Sequence, residues 1–223
     1  MQRNFFIGAL IGLILGFIIG WVMVNTQIQS QITNPKQQTA IAGTVSTKEL
    51  DLRMNMRKLW EDHITWTRMY MVSAIADADD KDNVAQRLLK NQEDIGNAIK
   101  AYYGNDAGDK LTSLLKTHIT TAVELIDAAQ NNNQTALNAA NTKWYNNAND
   151  IADFLSSANP NWPNDQMRTM MKDHLDLTKQ EALDIINKRF DADIADYDKV
   201  HEQILNMADM LSAGIVKQFP DKF

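Results

Sequence analysis

Cysteine is absent from all 223 residues. That removes disulfides, thiolate nucleophiles, iron–sulfur clusters, cysteine-based zinc sites and lipoprotein anchoring at once. A basic stripe is absent too. The net charge is −6, the isoelectric point is near 5.2, and the aromatic residues are not interleaved with Lys and Arg, so a nucleic-acid surface is excluded. There is no Gly-x-Ser-x-Gly elbow, no P-loop and no dinucleotide-binding glycine pattern, which leaves nucleophilic and nucleotide chemistry without a frame. Asp77, Asp79, Asp80 and Asp82 crowd one turn, but the EF-hand spacing, its glycine and its closing Glu are missing. A solvated turn between helices accounts for them.

What is present is a globular composition, 44% apolar and 22% charged, with enough chain for one domain of ordinary size plus appendages. Phe5 to Val24 is an uncharged run of about 20 residues, the length that spans a hydrocarbon core as a helix. Arg3 and the terminal amine precede it, and the first charge after it is Lys36. The positive-inside rule then puts the N-terminus in the cytoplasm and the remainder outside. Residues 20–30 lack a small-x-small cleavage site, and Ala40-Ile41-Ala42 lies too far downstream. The expectation is an uncleaved signal-anchor over residues 1–24, a single pass in the cell membrane and an extracytoplasmic C-terminal domain. Gly8, Gly12, Gly16 and Gly20 recur every fourth residue, a face on which a second copy or a partner helix packs closely.

Residues 25–45 are rich in Gln, Asn and Thr without apolar periodicity and read as a flexible tether. From residue 46 the pattern is helical. Ser46-Thr47-Lys48-Glu49 fits a capping box that starts a helix reaching about Ala76. Further helices are expected near 83–103, 107–130, 135–157, 164–189 and 191–217, split at Gly104, at Asn-rich and Asp-rich stretches, and at Asn159-Pro160-Asn161-Trp162-Pro163. The fold class is all-α: an antiparallel four-helix-type bundle over residues 46–223 with two shorter inserted helices. A shift of 56 positions carries His118 onto His174, Asn91 onto Asn147 and Asp94 onto Asp150, and so predicts an internal duplication.

The chain has four histidines, and each falls on an apolar helical stripe. His63 has Met56, Leu59, Trp60 and Tyr70 on its face, His118 has Leu111, Leu114, Leu115 and Leu125, His174 has Met167, Met170 and Met171, and His201 has Tyr197, Ile204 and Ala208. Bundle cores build metal sites from facing helices, and imidazole suits zinc, copper and iron. His63, His118, His174 and His201, with Glu181 one heptad after His174, form the candidate centre for a transition metal or haem. Asn91, Asp94, Asn147 and Asp150 are the candidates to fix the ring tautomers from behind. The plainer reading is a satisfied polar network in which Thr67, Thr178, Tyr70 and Tyr197 partner buried imidazoles. Methionines beside His174 add a copper(I) branch, against their ordinary role as core filling. The Glu-x-x-His pairs of di-iron bundles are missing.

The run Leu59 to Arg68 (LWEDHITWTR), the NQEDIGNAI core of Leu88 to Gly104, the Tyr102-Tyr103-Gly104 break, Leu114 to His118, Trp144 to Leu155, Met170 to Ala182 and Tyr197 to Phe219 with its MADML segment together resemble a family of bacterial membrane-anchored helical-bundle proteins. The resemblance covers nearly all of the outer domain. It implies that architecture and the four-histidine pattern, but no reaction. Some members carry the labels glycosyltransferase or acetylglutamate kinase, activities for which this chain has no phosphate-binding loop. The expected function is binding of a metal ion or small ligand at the histidine centre. Two alternatives stand beside it: a metalloenzyme at the same residues, and a sensor or assembly module acting through the glycine face.

Overall fold

The computed structural model describes residues 45–223. The expected membrane helix, its glycine face and most of the tether lie outside the described residues. Among the described residues no helix is long and apolar enough to cross a membrane.

Six α-helices and a closing 3-10 turn make up the described chain: α1 Thr47–Ile75, α2 Lys81–Tyr103, α3 Asn105–Gln130, α4 Gln134–Ala158, α5 Asn164–Ile186, α6 Phe190–Gln218 and the turn Pro220–Lys222. No strand occurs among them. The all-α expectation holds, while the division into four long and two inserted helices does not, since lengths run only from 23 to 29 residues. Half of the capping box forms at the start of α1. Ser46 Oγ accepts from the Glu49 amide at 3.1 Å, but the Glu49 carboxylate turns to Arg53 Nε at 2.8 Å.

Each helix packs on the next in sequence, and α6 returns onto α1, so the six close into a ring; α1 also meets α5. The connections show that the ring is three helical hairpins of one design. The α1–α2, α3–α4 and α5–α6 turns each place one residue in the left-handed region, Asp77 (φ 51°), Asn132 (φ 52°) and Lys188 (φ 58°). Each is followed by a six-to-one closing bond: Ala78 N–H to Ser73 O, Asn133 N–H to Ala128 O and Arg189 N–H to Asp184 O, all 2.9 Å. This is the hydrogen-bond pattern of a Schellman ending. It stops α5 at Ile186, three residues before the expected 189. The repeats are spaced by 55 and then 56 residues, so the duplication read in the sequence, which matched α2–α3 with α4–α5, cuts across a threefold repeat of hairpins.

Between the hairpins the chain turns more freely. Gly104 (φ 85°) links α2 to α3. Beyond it α2 and α3 touch backbone to backbone, because a Cβ on Gly96 would stand 2.6 Å from Gly108 O and one on Gly108 would stand 2.6 Å from Gly96 O. Apolar residues fill the interior in two clusters, one around Trp60, Leu115, Trp144, Leu175 and Ile204, the other around Tyr70, Met71, Leu88, Ile119 and Ile185. His118 lies in sequence between Leu115 of the first and Ile119 of the second, while His63 and His174 are flanked by residues of the first.

Candidate three-histidine centre

Helices α1, α3 and α5 bring His63, His118 and His174 together at one level of the core. Their ring centres stand 6.5 Å (His63–His118), 5.7 Å (His63–His174) and 6.2 Å (His118–His174) apart, and all three residues are buried. Trp60 packs edge-on to His63 and Trp144 lies against His118. Each histidine is held from behind by a carboxamide 29 residues further on, at the facing position of its own hairpin.

In the second and third hairpins one amide does the whole task. His118 Nδ1–H donates to Asn147 Oδ1 at 3.1 Å while Asn147 Nδ2 donates to Leu114 O at 3.1 Å. His174 Nδ1–H donates to Gln203 Oε1 at 3.2 Å while Gln203 Nε2 donates to Met170 O at 3.1 Å. The second bond fixes which end of each amide faces the ring. The proton therefore sits on Nδ1, and Nε2 keeps its lone pair.

The first hairpin divides the same task between neighbours. Asn91 Nδ2 donates to Leu59 O at 3.0 Å, and Gln92 approaches His63. Gln92 Nε2 has three acceptors in reach for two protons: Leu88 O at 2.8 Å, Asn91 Oδ1 at 3.1 Å and His63 Nδ1 at 3.3 Å. Its Oε1 is buried without a partner. His63 is thus the ring whose tautomer is least constrained.

Burial keeps all three rings neutral. It lowers His63 well below the ordinary imidazole range, helped by His174 and His118 and opposed by the Gln92 bond. It brings His118 down to about 3, helped by His174 and opposed by Asn147, and His174 to about 4, opposed by Gln203. A neutral imidazole is the form that ligates a metal. The rings border a cavity of about 20 Å³, space for one water-sized occupant. Among the described residues no group of three or more His, Asp or Glu side chains is drawn in to the distances that hold a metal ion.

The remaining sequence candidates lie elsewhere. His201 is on the outer side of α6, where its Nε2 meets Glu61 Oε1 at 3.0 Å with 37% of the side chain exposed. The buried stripe of α6 runs through Val200, Ile204, Met207 and Leu211, and Gln203 takes the position beside His174. Asp94 pairs with Lys90 and Asp150 is exposed. An Asn-x-x-Asp pair is turned apart by about 60° on a helix, enough to send the acid outward. Asn91 and Asn147 do stand behind the centre. Glu181 is buried but serves another group: Arg68 Nη1 donates to its Oε1 at 2.6 Å, and the same guanidinium donates to both oxygens of Asp193 at 2.6 and 2.9 Å while lying 4.9 Å over the Tyr197 ring. Burial pushes Glu181 up to about 7, with Arg68 opposing.

Sequence reasoning missed Gln92 and Gln203. The signal was their place 29 residues after a histidine, the interval that Asn147 shares. An open groove of about 570 Å³ lies between α5 and α6, and its wall includes Met170 and Gln203, the two groups that hold His174 from behind.

Fold and site define a class: a six-helix bundle of three similar hairpins around a buried three-histidine level. No family model matches this chain, and comparison with curated proteins and with solved structures gives no match.

Proposed function

We propose that the protein is a membrane-tethered, extracytoplasmic binding module that takes up one transition-metal ion at His63, His118 and His174. The observation that carries this reading is the common orientation of the rings, with Nδ1 of each turned to a carboxamide and, for His118 and His174, the Nε2 lone pair left over. Metal-ligating histidines are oriented in this way, through a partner on the other nitrogen. Three imidazoles bound through Nε2 at about 2.0–2.1 Å place their ring centres roughly 5–5.5 Å apart. The separations of 5.7 to 6.5 Å exceed that by about 1 Å or less, a difference that small side-chain rotations close.

The small cavity favours holding over turnover. A catalytic site keeps an open coordination position and room for substrate, and about 20 Å³ accommodates neither substrate nor haem. His201 and Glu181 take no part. The tether reading rests on the uncharged run from Phe5 to Val24, and the Gly8, Gly12, Gly16 and Gly20 face offers the route to a second copy or a partner helix.

The test is the metal content of the full-length protein extracted from membranes, beside His118→Gln and His174→Gln. One metal per chain, lost in both variants while their helical circular dichroism persists, is the expected result. Protein that is recovered without metal and stays so in added metal salts would overturn the reading and leave a hydrogen-bonded histidine knot around a water, which the cavity also fits.

A further inference from the structure

We infer that the ion is monovalent copper rather than a divalent metal, an inference that rests on the metal-binding reading above. Charge is the first ground. The cavity wall is made of His63, His118 and His174 with apolar and hydroxyl side chains, and it includes no carboxylate. Glu181, the acid the sequence offered to the centre, is spent on Arg68. The one permanently charged side chain on the wall is Lys179, a cation whose Nζ lies 3.0 Å from Tyr145 Oη and 4.9 Å over the Tyr145 ring. Desolvation cost grows with the square of the charge, so a divalent ion in this cage, which offers no anion to offset it, costs about four times what a monovalent ion of similar size costs.

Coordination number is the second ground. Zinc held by three protein ligands keeps a fourth, usually water. Here the space beside the rings is closed by Met71, Ile119, Leu125, Ile126 and Ala182. The two hydroxyls on the wall have already given their protons away, Thr67 to His63 O at 2.7 Å and Thr178 to His174 O at 2.8 Å. Those oxygens can still accept from a bound water, so what excludes it is space: the cavity of about 20 Å³ takes one water-sized occupant, the ion or a water but not both. Monovalent copper is complete with three nitrogen ligands and asks for no water. The one sulfur on the wall, the Met71 thioether, is a soft donor of the kind that selects copper(I) over zinc.

The experiment loads full-length protein in detergent, under strict anaerobiosis, with copper(I) as its acetonitrile complex and, in parallel, with zinc(II) and cobalt(II). Each sample then meets a chelator competition, and X-ray absorption of the retained metal counts its ligands. The expected result is one copper(I) per chain with imidazole scattering and no bound water, while zinc and cobalt are stripped. Zinc or cobalt held as firmly as copper would overturn the inference and leave the metal-binding reading standing. Retention of none of the three would overturn both. A second arm uses Gln92→Glu, which sets a carboxylate behind His63. If charge decides, the zinc-to-copper affinity ratio rises by about tenfold or more; an unchanged ratio in folded variant contradicts the charge argument.

Discussion

His118 and Asn147 show what one residue pair contributes. The carboxamide satisfies the ring and adds a second bond to a helix carbonyl. Asn147→Leu strands the buried His118 Nδ1–H, costing about 1–3 kcal/mol, while Leu114 O keeps its bond within the helix. A loss of about 1–3 kcal/mol in urea unfolding is expected, whereas a loss below about 0.5 kcal/mol would mean that the pair is dispensable. The same burial sets the response to acid. The three buried rings titrate far below the value near 6.5 that histidine has in the unfolded chain, at about 3 for His118 and about 4 for His174. Between those limits the unfolded state binds protons that the folded state refuses, so stability falls as pH falls, by up to about 1.4 kcal/mol per pH unit per ring. Glu181 works the other way. Its folded value of about 7 is above its unfolded one, so the folded state takes the extra proton and gains stability from pH 7 towards 4.5. Three rings outweigh one acid. Unfolding free energy is expected to be level above pH 7 and to drop by several kcal/mol between pH 6.5 and 4.5, with a shallower drop in His118→Leu; an equal slope in that variant would exclude the ring.

The helices were legible in the sequence because their apolar residues recur at helical intervals and because Gly104, Pro160 and Pro163 break the run where helices end. The hairpin turns were less legible, since their left-handed positions are filled by Asp77, Asn132 and Lys188 rather than glycine. That choice carries a cost. Lysine gains nothing from the left-handed region, while Asn and Asp reach local hydrogen bonds there. Lys188→Gly is expected to raise stability by about 1 kcal/mol, and Asn132→Gly by less; a larger gain at Asn132 would reverse the argument. Glycine acts in the opposite sense at Gly214 of α6, where an added Cβ would fall 2.0 Å from Trp162 Nε1. Gly214→Ala forces the indole aside and is expected to cost about 1–3 kcal/mol, readable as a shift in tryptophan fluorescence with a lower unfolding midpoint.

At the scale of the whole molecule, ring closure depends on contacts between the first and third hairpins. Arg68 of α1 is central to them, holding Glu181 of α5 and Asp193 of α6 together. Arg68→Met leaves two buried carboxylates without their partner and is expected to cost about 3–5 kcal/mol at pH 8. The loss should be smaller at pH 5.5, where Glu181 takes a proton, and a pH-independent loss would contradict that pairing. The threefold plan was half visible in the sequence. The shift of 56 aligned His118 with His174, but the first repeat is offset by 55, and its amide duty is split between Asn91 and Gln92, so one residue of drift hid the third copy. His201 misled for a related reason. It borders the buried stripe of α6 rather than lying on it, and periodicity alone does not separate edge from centre by the 60° or so that decides exposure.

The central claim is that His63, His118 and His174 form one centre that takes a metal through Nε2. The most direct measurement is the nitrogen-15 spectrum of the imidazoles in the full-length protein, with and without one equivalent of copper(I) or zinc(II). The account predicts that the Nε2 signals of these three rings move together while the Nδ1–H signals of His118 and His174 persist and His201 stays unchanged. Three unmoved Nε2 signals, or a change at His201 alone, would contradict it.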